Sequence, residues 1–158
     1  SVMNGSSVTL DQIGYKGYLE SSNHKWEDLN ANITAEPNEE KREKLRKQSV
    51  LSDYYVGSVH ALVENGEFVF ASATGSQLPH VVFTSSNLIF VVSTKKIVST
   101  LDDAIKRLKE HVIPLEDKRM QELYKMNTTL NKILIFVGES QMMGRKIHFI
   151  LVDEDLGY

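Results

Sequence analysis

The sequence predicts an α/β domain with an open, largely parallel sheet and helices on both faces, and three observations carry that reading. Segments rich in β-formers alternate with segments of helical period, the order in which crossover helices join parallel strands. Leu88 to Val92 is a continuous run of five apolar residues bounded by polar ones, as expected of a strand covered on both faces. Leu101, Ala104, Ile105, Leu108 and Val112 recur at helical spacing behind Thr100, a suitable cap, with Asp102 and Asp103 in the first turn.

The other elements follow in order. Gly5 to Leu10 is a small-residue turn leading into Asp11, Gln12 and Ile13, read as a loop entering a short helix. Such a loop usually follows a strand, and only Ser1 to Met3 precede it here. The expected organisation is one domain over residues 1–158 that begins inside an element or has lost upstream residues. Tyr15 to Ala35 is irregular and polar, read as loop with one helix. Glu36 to Leu51 is a helix: Pro37 suits the first turn, Glu39 and Glu40 suit the positive helix end, and Glu40–Lys44 and Glu43–Lys47 form favourable four-residue pairs. Its charge run is a solvated face, with Leu45 and Leu51 turned inward.

Asp53 to Val63 mixes β-formers with Gly57, and Asn65-Gly66 then separates it from Phe68, Val69 and Phe70, a strong hairpin signal. Thr74-Gly75-Ser76 breaks the chain ahead of a short amphipathic segment from Gln77 to Phe83. Pro114 ends one helix or starts the next, Leu115 to Met126 reads as helical, and Asn127 to Asn131 as a polar loop. Ile133 to Val137 and Ile147 to Val152 read as two more buried strands joined by Gly138 to Gly144.

Composition excludes several function classes. With 158 residues, 41% apolar and 25% charged, the chain suits one globular domain able to bury roughly 70% of its unfolded surface without staples. It has no cysteine, so no disulfide, thiolate nucleophile, cysteine-ligated zinc or iron–sulfur cluster is held by this chain. That fits a reducing compartment, and a cytoplasmic location is expected. A net charge of −3 offers no basic surplus for nucleic acid or an anionic membrane. No apolar run approaches the roughly 20 residues of a spanning helix, and Ser1 to Asn4 has no signal-peptide character. His24, His60, His80, His111 and His148 lack close ligand spacing, and Asp153-Glu154-Asp155 is a solvated strand end rather than a calcium loop. The sequence points to no metal and no cofactor, and Met142-Met143 is assigned to packing.

Two segments carry candidate chemistry. Gly5-Ser6-Ser7-x-Thr9 lets backbone N–H groups and hydroxyls converge on an anion at a helix start, or forms a plain turn and helix cap. It has neither the lysine of a P-loop nor the glycine spacing of a dinucleotide fingerprint. The second segment joins His60 and Glu64 to Thr74, Gly75, Ser76 and Gln77. Glu64, at a strand end, is positioned as a general base or a hydroxyl ligand, or as an exposed turn carboxylate. His60 belongs to the site or to the core, depending on strand alternation.

Several segments together resemble the LUD domain family, the lactate-utilisation proteins. They are Gly5-Ser6-Ser7-Val8-Thr9-Leu10 with Ile13-Gly14, then Glu40 to Leu51 leading into Ser52 to Gly66. Lys95-Lys96-Ile97-Val98 follows with Leu101-Asp102-Asp103-Ala104-Ile105, then Pro114-Leu115, Lys118-Arg119, and the closing Ile150 to Tyr158. The resemblance implies a fold like that of the sugar-phosphate isomerases, coenzyme A transferases and folate cyclo-ligases, with the glycine-serine loop holding an anionic part of the ligand. It also implies Glu64 as the acidic position before the hairpin glycine, and Thr74 to Gln77 as a ligand loop. In function it implies binding of a small anionic metabolite in lactate or 2-hydroxy-acid utilisation, as a non-catalytic accessory subunit to redox partner subunits, with homo-oligomers a further option. The alternative is an independent enzyme of isomerase, transferase or cyclo-ligase type. Relatives with the same closing segment usually begin with an additional helix and strand before the glycine-serine loop, which the domain is expected to lack; many also carry a cysteine-rich insertion before the penultimate strand, and here Met120 to Lys132 is short and has no cysteine.

Overall fold

The computed structural model describes residues 1–21 and 23–158. Eight strands and six α-helices are distributed between two four-stranded sheets among these residues. The first sheet is wholly parallel, in the order β1 (Val2–Asn4), β2 (Tyr54–Gly57), β5 (Asn87–Ser93), β8 (Lys146–Val152). The second is mixed, in the order β6 (Ile97–Val98), β3 (Ala61–Val63), β4 (Phe68–Ser72), β7 (Lys132–Phe136). The α/β class and the parallel sheet are thus borne out. The expected helices lie on the outer face of each sheet, while the two inner faces pack on one another.

Strand alternation sets this layering. On β5, Leu88, Phe90 and Val92 face inward and join Tyr55 of β2 against Leu62, Phe68, Phe70 and Phe136 of the mixed sheet. Ile89 and Val91 point the other way, where Val2, Val56, Leu10 and Leu19 close a second cluster. Leu10 belongs to α1 (Val8–Gln12) and Leu19 to α2 (Tyr15–Glu20). On the far side, Ala61, Val63, Val69 and Ala71 of the mixed sheet meet Ala104, Leu108 and Val112. These last three come from α5 (Leu101–Arg107) and the π-helical stretch Leu108–Val112, which runs on into α6 (Ile113–Tyr124).

Local signals account for most boundaries. The Thr100 hydroxyl accepts from the Asp103 N–H and caps α5. Asn38, one residue beyond Pro37, caps α4 (Glu39–Gln48). Asn65-Gly66 makes the β3–β4 turn, with Gly66 at φ 96°. The segment from Asp53 to Val63 is not one strand: β2 ends at Gly57 and the chain crosses to the second sheet over Ser58 to His60. Tyr15 to Ala35 holds two helices, α2 and α3 (Leu29–Ala35), each too short to show a full amphipathic period in sequence.

Four burial expectations are corrected, the first being Met142-Met143, assigned to packing but exposed on the 3₁₀ turn ahead of β8. Leu51 is 77% exposed, because α4 gives way to a 3₁₀ turn, Ser49–Leu51, which buries Ser49 instead. β7 and β8 are apolar in sequence yet half open, each being the last strand of its sheet and paired along one edge. Ile133, Ile135, Ile150 and Leu151 remain exposed there. No helix among the described residues is long and apolar enough to cross a membrane.

Phe68 is the hinge of the central core. Its ring stacks on Phe136 at 4.5 Å and meets Phe90 and Phe149 at 5.5 and 5.4 Å, joining both sheets. Phe68→Ala should therefore cost about 3–5 kcal/mol in urea unfolding, while Ile135→Ala, at a half-open edge, should cost no more than about 1.5 kcal/mol.

Candidate functional site

The four parallel strands end at one edge, and the segment that follows each strand contributes to a single cleft of about 410 Å³. This is the place where open parallel sheets bind ligands. After β1 comes Gly5-Ser6-Ser7, with the Ser7 hydroxyl capping α1. Gly5 is required by space, since a Cβ there would lie 2.8 Å from the Tyr55 hydroxyl. After β2 come Ser58, Val59 and His60; after β5 comes Lys96; after β8 come Gly157 and Tyr158. Glu116 and Arg119 of α6 close the opposite wall with Thr74, Ser76 and Gln77 of the loop after β4.

Lys96 is the electrostatic centre. It is 4% exposed, and its ammonium donates to the Thr9 hydroxyl at 3.0 Å, the Ser58 hydroxyl at 3.2 Å and the Val59 carbonyl at 3.4 Å. All three partners are neutral, and among the described residues no carboxylate pairs with it. Burial first and the Arg107 guanidinium second bring the ammonium down to about 8. Gly157 is confined against this pair: at φ 66°, a Cβ there would meet the Thr9 hydroxyl and the Lys96 ammonium.

The facing wall is already neutralised. Arg119 grips Glu116 with two hydrogen bonds of 2.8 Å, and the Tyr158 hydroxyl donates to the same carboxylate at 2.7 Å. Burial pushes the Glu116 carboxyl up, but the bonds from Arg119 and Tyr158 outweigh it and hold the carboxyl below its usual value. Burial and the same carboxylate push the Tyr158 hydroxyl up, so it stays a donor. Beneath the cleft floor, burial holds His80 down at about 4. There it sits in a closed network with Ser52 and Ser85, its ring stacked on Tyr55 at 5.0 Å.

Of the residues expected from sequence, Gly5, Ser6, Ser7, Thr9, His60, Thr74, Ser76 and Gln77 all line the cleft. Gly75 does not: it makes the turn at φ 88°, backed by the Lys132 side chain. Ser72 orders this loop, its hydroxyl accepting from the Gly75 N–H and donating to Gln77. The Asn65-Gly66 turn carries Glu64 into solvent, its N–H pairs with the Val98 carbonyl at 3.0 Å, and it lies outside this cleft. The cleft carboxylate is Glu116 instead. Sequence reasoning missed Glu116, Arg119 and Tyr158, and passed over Lys96 as a ligand. Its signal was present: a lysine in the turn Thr94–Lys96 that follows the apolar run from Leu88 to Val92.

A family profile for the LUD domain matches residues 1–152. Neither a curated protein nor a solved structure matches the chain.

Two stability tests follow from the buried bases. Lys96 releases its proton near pH 8 in the folded chain and near 10.5 when unfolded. Between those values the unfolded chain binds more protons, so stability should rise with pH. Lys96→Met should remove that rise and increase stability at neutral pH by about 1 kcal/mol, because it takes an unpaired charge out of the interior. His60 and His80 are held near 4 against an ordinary 6.5. Stability should therefore fall as pH drops from about 6.5 toward 4. Urea midpoints across both ranges check the two slopes.

Proposed function

The chain belongs to the LUD domain family, the lactate-utilisation proteins, and from that premise we propose that its cleft binds a small organic anion in lactate or related 2-hydroxy-acid utilisation. The observation that carries this reading is Lys96: a buried ammonium with neutral partners only, at the mouth of strands whose following loops present Gly5, Ser6, Ser7 and Thr9. An unpaired charge in the interior is costly, and a bound carboxylate or phosphate supplies the missing counter-charge. Because Lys96 lends its protons to the Thr9 and Ser58 hydroxyls, those hydroxyls keep their own protons for the ligand.

The geometry supports binding more than independent catalysis. Glu64 is remote, and Glu116 has Arg119 and Tyr158 on its oxygens, so neither stands as a free base. A second reading, an accessory subunit that docks on a redox partner, draws on exposed apolar residues along β7 and the turn after it: Ile133, Ile135, Val137 and Met142.

A thermal-shift series with L-lactate, pyruvate, phosphate, sugar phosphates and coenzyme A thioesters tests the anion reading. The wild type should be stabilised by one class, Lys96→Met should lose that shift while remaining folded, and Glu64→Gln should keep it in full. A shift retained by Lys96→Met would overturn the role of Lys96. Gly5→Val, which drives a side chain into Tyr55, should lose the shift as well.

A further inference from the structure

The cleft holds a second polar group whose proton can be placed. His60 leaves β2 in the crossover to the mixed sheet, and its Nδ1 lies 3.2 Å from the Ala71 backbone N–H, which donates to it. A ring nitrogen that accepts carries no proton, so in the neutral ring the proton is on Nε2. The ring is fixed edge-on against Phe70, with centroids 5.9 Å apart, and its own backbone N–H is tied to the Val69 carbonyl at 3.1 Å. His60 is half-buried and lines the cleft, and no protein acceptor takes its Nε2 proton among the described residues.

We propose that His60 presents a fixed Nε2–H donor to an uncharged oxygen of the bound anion, so that the cleft selects ligands bearing a carbonyl or hydroxyl beside their anionic group. This rests on the anion reading above and adds a selection rule to it. The Thr9 and Ser58 hydroxyls, held by the Lys96 ammonium, receive the charged group; His60, from the same crossover as Ser58, reads the neutral one. The neutral ring suits the task, since the groups facing it include the cations Lys96 and Arg107, which oppose a third positive charge, while Glu116 favours one and is itself held by Arg119. Burial is the first cause of the ring's low proton affinity. A neutral N–H donor can discriminate by the presence of a single acceptor because a site built for a hydrogen bond rejects the analogue that lacks it.

Two measurements test this. Long-range proton–nitrogen spectra of the 15N-labelled full chain should show the His60 proton on Nε2, with no titration between pH 6.5 and 5. A proton on Nδ1, or titration in that interval, overturns the proposal. Binding is then compared for matched pairs that differ by one oxygen: L-lactate with propionate, and glycolaldehyde phosphate with ethyl phosphate. The wild type should prefer the oxygen-bearing member by about threefold to tenfold, as one neutral hydrogen bond allows. His60→Phe should bind the two members of each pair alike, and His60→Gln, which keeps an N–H donor, should recover part of the preference. A preference that survives in His60→Phe overturns the role of His60 alone. If the wild type binds no member of either pair, the anion reading falls and this inference falls with it.

Discussion

The Lys96 ammonium is the interaction on which the site depends. Three short segments meet at it: Thr9 from the helix after β1, Ser58 and Val59 from the crossover after β2, and Lys96 itself from the turn after β5. Gly157, after β8, fits against the same point only because it has no side chain. Val59 and Leu10 anchor two of these segments in the apolar clusters. The parallel sheet delivers their starting points to one edge, and the ammonium draws their polar atoms together. Its three protons need oxygen acceptors, and in a dry interior an unmet donor costs more than an ordinary hydrogen bond gains.

The division into two sheets serves the same end. The chain leaves the parallel sheet for the mixed one twice, over Ser58 to His60 and over Thr94 to Lys96. Both crossings are site segments. A strand that continued straight would satisfy its backbone within one ladder; a strand that changes sheets leaves a bend with open groups at the end of the core. The aromatic seam of Phe68, Phe70, Phe90 and Phe136 beneath the crossings holds the two sheets together. That packing restricts how far the bends can shift. Rigidity under the cleft comes from apolar contact, and chemistry above it comes from the polar bends.

The α/β class, the hairpin at Asn65-Gly66 and the helix behind Thr100 were legible because each has a local cause: alternation, a turn pair, a capping hydroxyl. So was the loop from Gly5 to Thr9. The second sheet was not legible, because β-formers from Tyr54 to Val63 read as one strand when only Gly57 marks the change of direction, and strand pairing is set by distant residues. The exposure of β7 and β8 was hidden for a related reason, since edge or centre is a property of sheet order and leaves no mark in a short apolar run. The weight placed on Glu64 came from resemblance to a motif and from a strand-end rule. Both were blind to the fact that the turn points away from the edge where the parallel strands end. Glu116, Arg119 and Tyr158 are separated from the cleft loops by long stretches of chain, and only the three-dimensional fold brings them there.

Net charge was a poor guide to the cleft for a physical reason. The chain carries −3 overall, yet Lys96 and Arg119 share the cleft with one carboxylate, Glu116, among the described lining residues. Glu116 is matched by Arg119, so the positive charge of Lys96 is left without a partner. Most acidic residues lie on solvated surfaces, such as α4 and the segment Asp153 to Asp155, where water and salt screen them within about 10 Å. Burial removes Lys96 from much of that screening. The proposed anion site is thus compatible with a negative net charge, because its cation is buried and the opposing carboxylate is already held.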